Sequence, residues 1–225
     1  MNAVIFDFDR TLVNLGDFVQ WSEAKSKITD EYVACGVSPE FVEKHQSIFA
    51  LLTEVRDELG KQHSQRMVFN VQDRVCKILE TYELMAIEKA FLMPGALEAL
   101  KFAEDKKIKV GIVSSNSPSC IIQCMRRLGV LSYVDCIVGR GPRLRIKPYP
   151  DQVLLCLKKL KCKPENTVMI GDHIADLRSA KASGIAFIGV LTGRTLRANF
   201  ESEKADHIIE TLEELPQILQ KLWGN

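Results

Sequence analysis

Hydrophobic residues follow two rhythms along the chain. The first is short and unbroken. Ala3-Val4-Ile5-Phe6 runs into Asp7, and comparable β-branched or aromatic runs recur at 109–113, 134–138, 167–170 and 185–190, with a weaker one at 207–209. Apolar runs of this length without polar alternation predict strands buried on both faces, as in a parallel sheet. The second rhythm has helical period and fills 15–92. Its stripes are Phe18, Trp21, Ala24, Ile28, Tyr32; then Phe41, Ile48, Leu52, Val55, Leu59; then Val68, Val71, Val75, Ile78, Tyr82. They predict the core of a helical bundle with no strand in it.

From residue 94 onward helices and strands alternate. Pro94 fits a first helical position, and Ser117-Pro118 reads as an N-cap followed by proline at N1. Further helices are expected over 151–160, 175–183 with Gly184 as the stop, and 212–222, while Gly60-Lys61-Gln62-His63 reads as a connection between helices. The fold class that results is α/β: a doubly wound, Rossmann-like parallel-sheet core of residues 1–14 and 93–225, with an all-helical domain of residues 15–92 inserted after the first strand.

Charge and cysteine content narrow the function. Thirty basic residues stand against 29 acidic ones, which argues against a nucleic-acid partner. Seven scattered cysteines include no Cys-x-x-Cys pair, so a reducing compartment and unpaired thiols are expected, with Cys120 and Cys124 on one helical face. Asp7, Asp9 and Arg10 interrupt the first apolar run, which is not a signal peptide, and no segment approaches the length of a membrane span. A cytoplasmic protein without membrane partners, monomeric or homodimeric, is the expectation.

Four polar groups fall where the predicted strands end. Asp7-Phe8-Asp9-Arg10-Thr11 follows the first strand, and alternation along an extended chain puts Asp7 and Asp9 on one side. Neighbouring carboxylates repel unless a cation or a proton lies between them, although an isolated Asp-x-Asp also fits a solvated turn. Gly171-Asp172-His173-Ile174-Ala175-Asp176 follows another strand, with Asp176 about one helical turn beyond Asp172. There Asp172 fits a helix cap as well as a ligand, and His173 reads as a solvated loop residue. Ser114-Ser115-Asn116-Ser117 joins a strand to a helix, where a hydroxyl and free N–H groups suit a phosphate; Ser117 reads as the cap. Lys147, between Ile146 and Pro148, would supply a cation able to neutralise carboxylates and hold a phosphoryl oxygen. The oxygen ligands of Asp7, Asp9 and Asp172 suit Mg²⁺.

In this order and at these positions the four groups resemble the haloacid dehalogenase superfamily, over residues 1–14 and 93–200, and the position of the helical insert is similar to the cap of its phosphoglycolate phosphatase and β-phosphoglucomutase branch. The resemblance implies a phosphoaspartyl mechanism. Asp7 would be the nucleophile and Asp9 the general acid and base. Mg²⁺ would be held by Asp7, the Asp9 carbonyl and Asp172, with Asp176 near the metal or bound to it. Lys147 and Ser114, with Ser115 and Asn116 beside it, would hold the phosphoryl oxygens, and Thr11 would orient the first loop. Arg10 departs from the glycine frequent in that branch and would bring a cation to the site. The activity implied is a Mg²⁺-dependent phosphatase acting on a small phosphorylated metabolite. A sugar phosphomutase would keep the same core residues, whereas a silent binding module has no use for the charge cluster. In the insert, Arg56, Lys61, His63 and Arg66 either meet an anionic leaving group or lie on a solvated surface, and Asn14 and Asp17 sit on the linker into it.

Overall fold

The computed structural model describes residues 1–223. Strand β1 (Ala3–Phe6) opens the chain, which leaves the core along β2 (Val13–Asn14). It then forms helices α1 (Trp21–Ala34), α2 (Pro39–Glu43), α3 (Ile48–Gln62) and α4 (Gln65–Ala86), and returns along β3 (Phe91–Leu92). Alternating elements follow: α5 (Ala96–Asp105), β4 (Lys109–Val113), α6 (Pro118–Arg127), β5 (Cys136–Val138), α7 (Asp151–Leu160), β6 (Thr167–Gly171), α8 (Ile174–Ala182), β7 (Ala186–Val190), α9 (Arg197–Ser202), β8 (His207–Ile209) and α10 (Leu215–Trp223).

Six strands form one sheet in the order β5-β4-β1-β6-β7-β8, and every pairing is parallel. The α/β doubly wound class expected from the apolar runs is the one observed. Alternation along β1 explains why its sequence is apolar throughout: Val4 and Phe6 enter the core on one face, Ala3 and Ile5 the core on the other, and all four are fully buried. Connections from β1 lead toward β5 and those from β6 lead toward β8, so the winding reverses beside β1, where an open α/β sheet leaves a crevice at its carboxyl ends.

The helices between β2 and β3 have a separate core in which Ile28, Tyr32, Leu51, Val55, Val71 and Leu79 are buried. The three helical stripes supply most of it. Side-chain oxygens of Ser38, Ser47 and Ser64 accept N–H groups at the starts of α2, α3 and α4.

Several boundaries differ from expectation. The 15–92 stretch does end in a strand: β2 and β3 pair antiparallel, Val13 with Leu92 and Asn14 with Phe91, a ribbon too short to leave a periodic signature. Helix α3 continues through Lys61 and Gln62, so the connection to α4 is only His63 and Ser64. Pro94 is not in a helix. α5 begins at Ala96 behind Gly95, whose φ of +78° is the left-handed conformation that favours glycine. All seven cysteines are unpaired, and Cys120 and Cys124 are buried.

Candidate functional site

The carboxyl ends of β1, β4 and β6, three adjacent strands, converge on one cavity of about 240 Å³. Asp7, Asp9 and Arg10 reach it from β1, Ser114, Ser115 and Asn116 from β4, Asp172 and Asp176 from β6 and α8, and Lys147 from the loop before α7. Of the residues in the four strand-end groups assigned a role at the site, Thr11 does not line it, and neither do Arg56, Lys61, His63 and Arg66 of the insert. Thr11 is fully buried, and its hydroxyl faces Asp172 Oδ1 at 3.5 Å.

Asp7, Asp172 and Asp176 each bring a carboxylate oxygen within 4.8 Å of the others. All three are buried, and Lys147, 8% exposed, lies among them. Its ammonium donates to Asp7 Oδ1, pairs with Asp176 Oδ1 at 2.5 Å, and reaches the Val113 carbonyl at 3.3 Å. Burial pulls the Lys147 pKa down, but the charges of Asp176 and Asp7 outweigh it and hold the pKa above its ordinary value. Burial raises the Asp7 carboxyl to about 7, with Asp176 adding to the rise and Lys147 opposing it. Burial, then the charges of Asp7 and Asp176, push Asp172 well above the usual carboxylate range. Three buried carboxyl groups share one ammonium, so their full ionisation calls for a further cation. Hard oxygen donors of this kind fit a divalent cation, and Asp7, Asp172 and Asp176 are the side chains able to hold one.

The Asp9 carboxylate lies outside that trio. Its Oδ1 accepts N–H groups of Leu15 at 3.0 Å and Gly16 at 2.8 Å. Burial still raises its pKa, against the pull of those two N–H groups. Any metal contact from Asp9 would therefore fall to its main-chain carbonyl, as the resemblance implies. Arg10 takes a left-handed φ of +61°, its carbonyl accepts the Thr192 hydroxyl at 2.5 Å, and its guanidinium pairs with Asp17, which Asn14 also holds at 2.9 Å. Asn14 and Asp17 thus brace the linker.

His173 departs from its expected role as a solvated loop residue. It is the N-cap of α8: its ring Nδ1 accepts the Ala175 N–H at 3.1 Å, and Asp176 Oδ2 accepts the His173 N–H at 3.0 Å. This reciprocal box frees Asp172 from capping and turns Asp176 inward. Ser117 caps α6 as expected, accepting the Cys120 N–H at 3.1 Å. Ser114 Oγ donates to Asn116 Oδ1 at 3.0 Å and accepts the Asn116 N–H at 3.1 Å. Gln152 bridges two parts of the site: its amide donates to the Ser114 carbonyl at 2.8 Å and accepts the Lys147 N–H at 3.3 Å.

The helical insert contributes Ser47 and Phe49, at the start of α3, to the cavity wall. Neither stood out in the sequence, although a serine ahead of an apolar helical stripe is a start signal that pointed to Ser47. Arg56, Lys61 and His63 line a different cavity, with Asp57 and Phe69 of the insert and Arg145 of the core. Lys61 is exposed and pairs with Glu58 at 2.7 Å, whereas Arg56 is half-buried and donates to the Arg143 carbonyl at 3.2 Å.

A sequence profile for the family described as haloacid dehalogenase-like hydrolase matches residues 4–190. Phosphoglycolate phosphatase of Escherichia coli is 23% identical over 161 residues, which are 72% of this chain and 62% of that protein, so the chain spans less than two thirds of the length of this relative. The Dickeya dadantii protein named "Probable phosphatase IndB" is 25% identical over 221 residues, 94% of this chain and 90% of that one. Among solved structures, a haloacid dehalogenase-like hydrolase from Bacteroides fragilis superposes with a TM-score of 0.70 at 25% identity, covering 95% of this chain and 99% of its own.

Proposed function

The chain belongs to the haloacid dehalogenase-like hydrolases, and from that premise we propose that it is a Mg²⁺-dependent phosphatase that hydrolyses a small phosphorylated metabolite through an aspartyl phosphate. The observation that carries this reading is the trio Asp7, Asp172 and Asp176, with oxygens within 4.8 Å of one another, in the same cavity as Lys147 and the Ser114 loop.

Asp7, Asp172 and the Asp9 carbonyl would hold Mg²⁺, with Asp176 as a further ligand or as the partner that fixes Lys147. When bound, the cation neutralises the carboxylates and the approaching phosphate dianion and polarises the phosphoryl oxygens. Lys147 engages Asp7 Oδ1, which leaves Oδ2 to attack phosphorus. As that bond forms, the bond from phosphorus to the ester oxygen breaks, and the leaving oxygen takes the proton of Asp9. Burial favours a protonated Asp9, as this step requires. Asp9, now a carboxylate, accepts a proton from water as the water attacks phosphorus, and the bond from phosphorus to the Asp7 oxygen breaks, releasing phosphate and the Asp7 carboxylate. Lys147 and the Ser115 N–H would hold the equatorial oxygens, joined by the Ser114 hydroxyl once its proton turns from Asn116 Oδ1 to the phosphoryl group. Arg10, tethered by Asp17, adds a cation on the wall of the cavity.

Asp7→Asn tests the assignment. The variant should fold normally and lose at least ~1,000-fold in Mg²⁺-dependent hydrolysis of an aryl phosphate, the scale of removing a covalent nucleophile. Undiminished turnover would overturn the nucleophile role. A panel of phosphorylated metabolites, scored for inorganic phosphate with and without EDTA, identifies the substrate. Isomerised sugar phosphate with negligible free phosphate would assign the chain to mutase chemistry instead.

A further inference from the structure

Against the 114–117 loop, on the side of the insert, lies an ion pair that this chemistry does not use. Glu83, in the last turn of α4, and Arg140, just beyond β5, have side chains 0% and 2% exposed. Arg140 Nη1 donates to Glu83 Oε1 at 2.7 Å and Nη2 to Oε2 at 3.1 Å, the two-pronged geometry of a guanidinium on a carboxylate. The remaining contacts of the pair converge on the loop. Arg140 Nη1 also donates to the Ser115 carbonyl at 2.6 Å, and its main-chain N–H to the Asn116 carbonyl at 2.7 Å. Glu83 accepts Asn116 Nδ2 at 3.1 Å and the Ser117 N–H at 3.0 Å. A further bond from Arg140 Nη2 to the Cys76 carbonyl, at 3.3 Å, fastens the same side chain along α4.

Stability does not account for such a pair. Taking two charges out of water costs about as much as their attraction returns, and apolar residues of equal volume serve a core at least as well. What the charges supply is orientation. A carboxylate paired to a guanidinium only accepts hydrogen bonds, so Glu83 compels the Asn116 amide to present its nitrogen. Asn116 Oδ1 is thereby turned to Ser114 and, with the Asn116 N–H, holds its Oγ in place at 3.0 and 3.1 Å until the hydroxyl proton passes to a phosphoryl oxygen. Arg140 in turn cancels a negative charge that would otherwise sit beneath a loop meant for an anion.

We infer that Glu83 and Arg140 are a positioning pair that presets the Ser114–Asn116 loop for a phosphoryl group and links substrate affinity to the seating of α4. The inference rests on the phosphoryl-transfer reading. Neither residue lines the cavity, so both act through the loop.

The decisive variant is the double substitution E83M/R140M, which removes both charges and retains volume. It should fold and keep its Mg²⁺ affinity within twofold, yet bind orthovanadate in the presence of Mg²⁺ at least tenfold more weakly by titration calorimetry. A merely structural pair would move the melting temperature and leave vanadate affinity alone, and that result overturns the inference. If the double variant does not fold, R140K carries the test. It keeps the charge but loses the fork, and a threefold or greater loss of vanadate affinity is expected; wild-type affinity overturns the inference. Wild-type protein that neither binds vanadate nor releases phosphate from any ester overturns the phosphoryl-transfer reading itself, and the inference with it.

Discussion

Asp172 owes its place to a residue with no side chain. A Cβ built on Gly193 would lie 1.9 Å from Asp172 Oδ2 and 2.6 Å from its Cγ, so any other residue there pushes the carboxylate aside. Gly193→Ala is therefore expected to weaken Mg²⁺ binding at least tenfold with little change in secondary structure, measured by titration calorimetry and circular dichroism. Wild-type affinity in that variant would show that Asp172 is free to move. Asp7, Ser114 and Asp172 were legible in the sequence because each stands where an apolar run stops, and Lys147 as a cation beside prolines between a strand and a helix. Their supports were not. Gly193 carries no chemistry of its own, Arg140 sits between two glycines without periodic context, and Glu83 reads as one more polar position on a helix.

At the scale of elements, α8 shows how local chemistry aims a side chain. The box between His173 and Asp176 fixes the first turn: Asp176, at the third position of the helix, gives Oδ2 to the His173 N–H and so turns Oδ1 to Lys147. In the helical insert, packing decides. Leu51 is fully buried in the core shared by α1, α3 and α4. Leu51→Ala should cost about 2–5 kcal/mol by lost transfer energy and residual cavity. Chemical denaturation reads that loss, while Mg²⁺ affinity stays unchanged because Leu51 is not among the residues lining the catalytic cavity. The sheet was legible from its apolar runs, and the bundle from its stripes. Boundaries were less so: Pro94 suggested a start for α5 that a left-handed Gly95 moves to Ala96, and the ribbon of β2 and β3 is held by pairing across the insert, which no local pattern encodes.

For the whole molecule, near-neutral composition conceals an uneven distribution of charge. Asp7 titrates near 7 rather than 3.8, and Asp9 and Asp172 are also raised. Between those values the folded state holds more protons than the unfolded chain, so the stability these groups contribute is complete below about pH 4 and falls as pH rises through 7 in metal-free protein. Mg²⁺ competes with those protons. Its effect on melting temperature, compared with EDTA, should accordingly be larger at pH 8 than at pH 5; an equal shift at both would separate the metal from these carboxylates. No helix among the described residues is long and apolar enough to cross a membrane.

The ribbon of β2 and β3 has a consequence for how such a protein diversifies. Because Asn14 lies opposite Phe91, everything between them hangs from two neighbouring points, and closing the loop asks nothing of the sheet. Any helical segment whose ends meet at that spacing could be spliced in their place, giving the chemistry a new selectivity without rewriting the half that performs it. Such a graft has to keep or replace Leu15 and Gly16, whose N–H groups hold Asp9, Asp17, which tethers Arg10, and Glu83, since Arg140 stays behind.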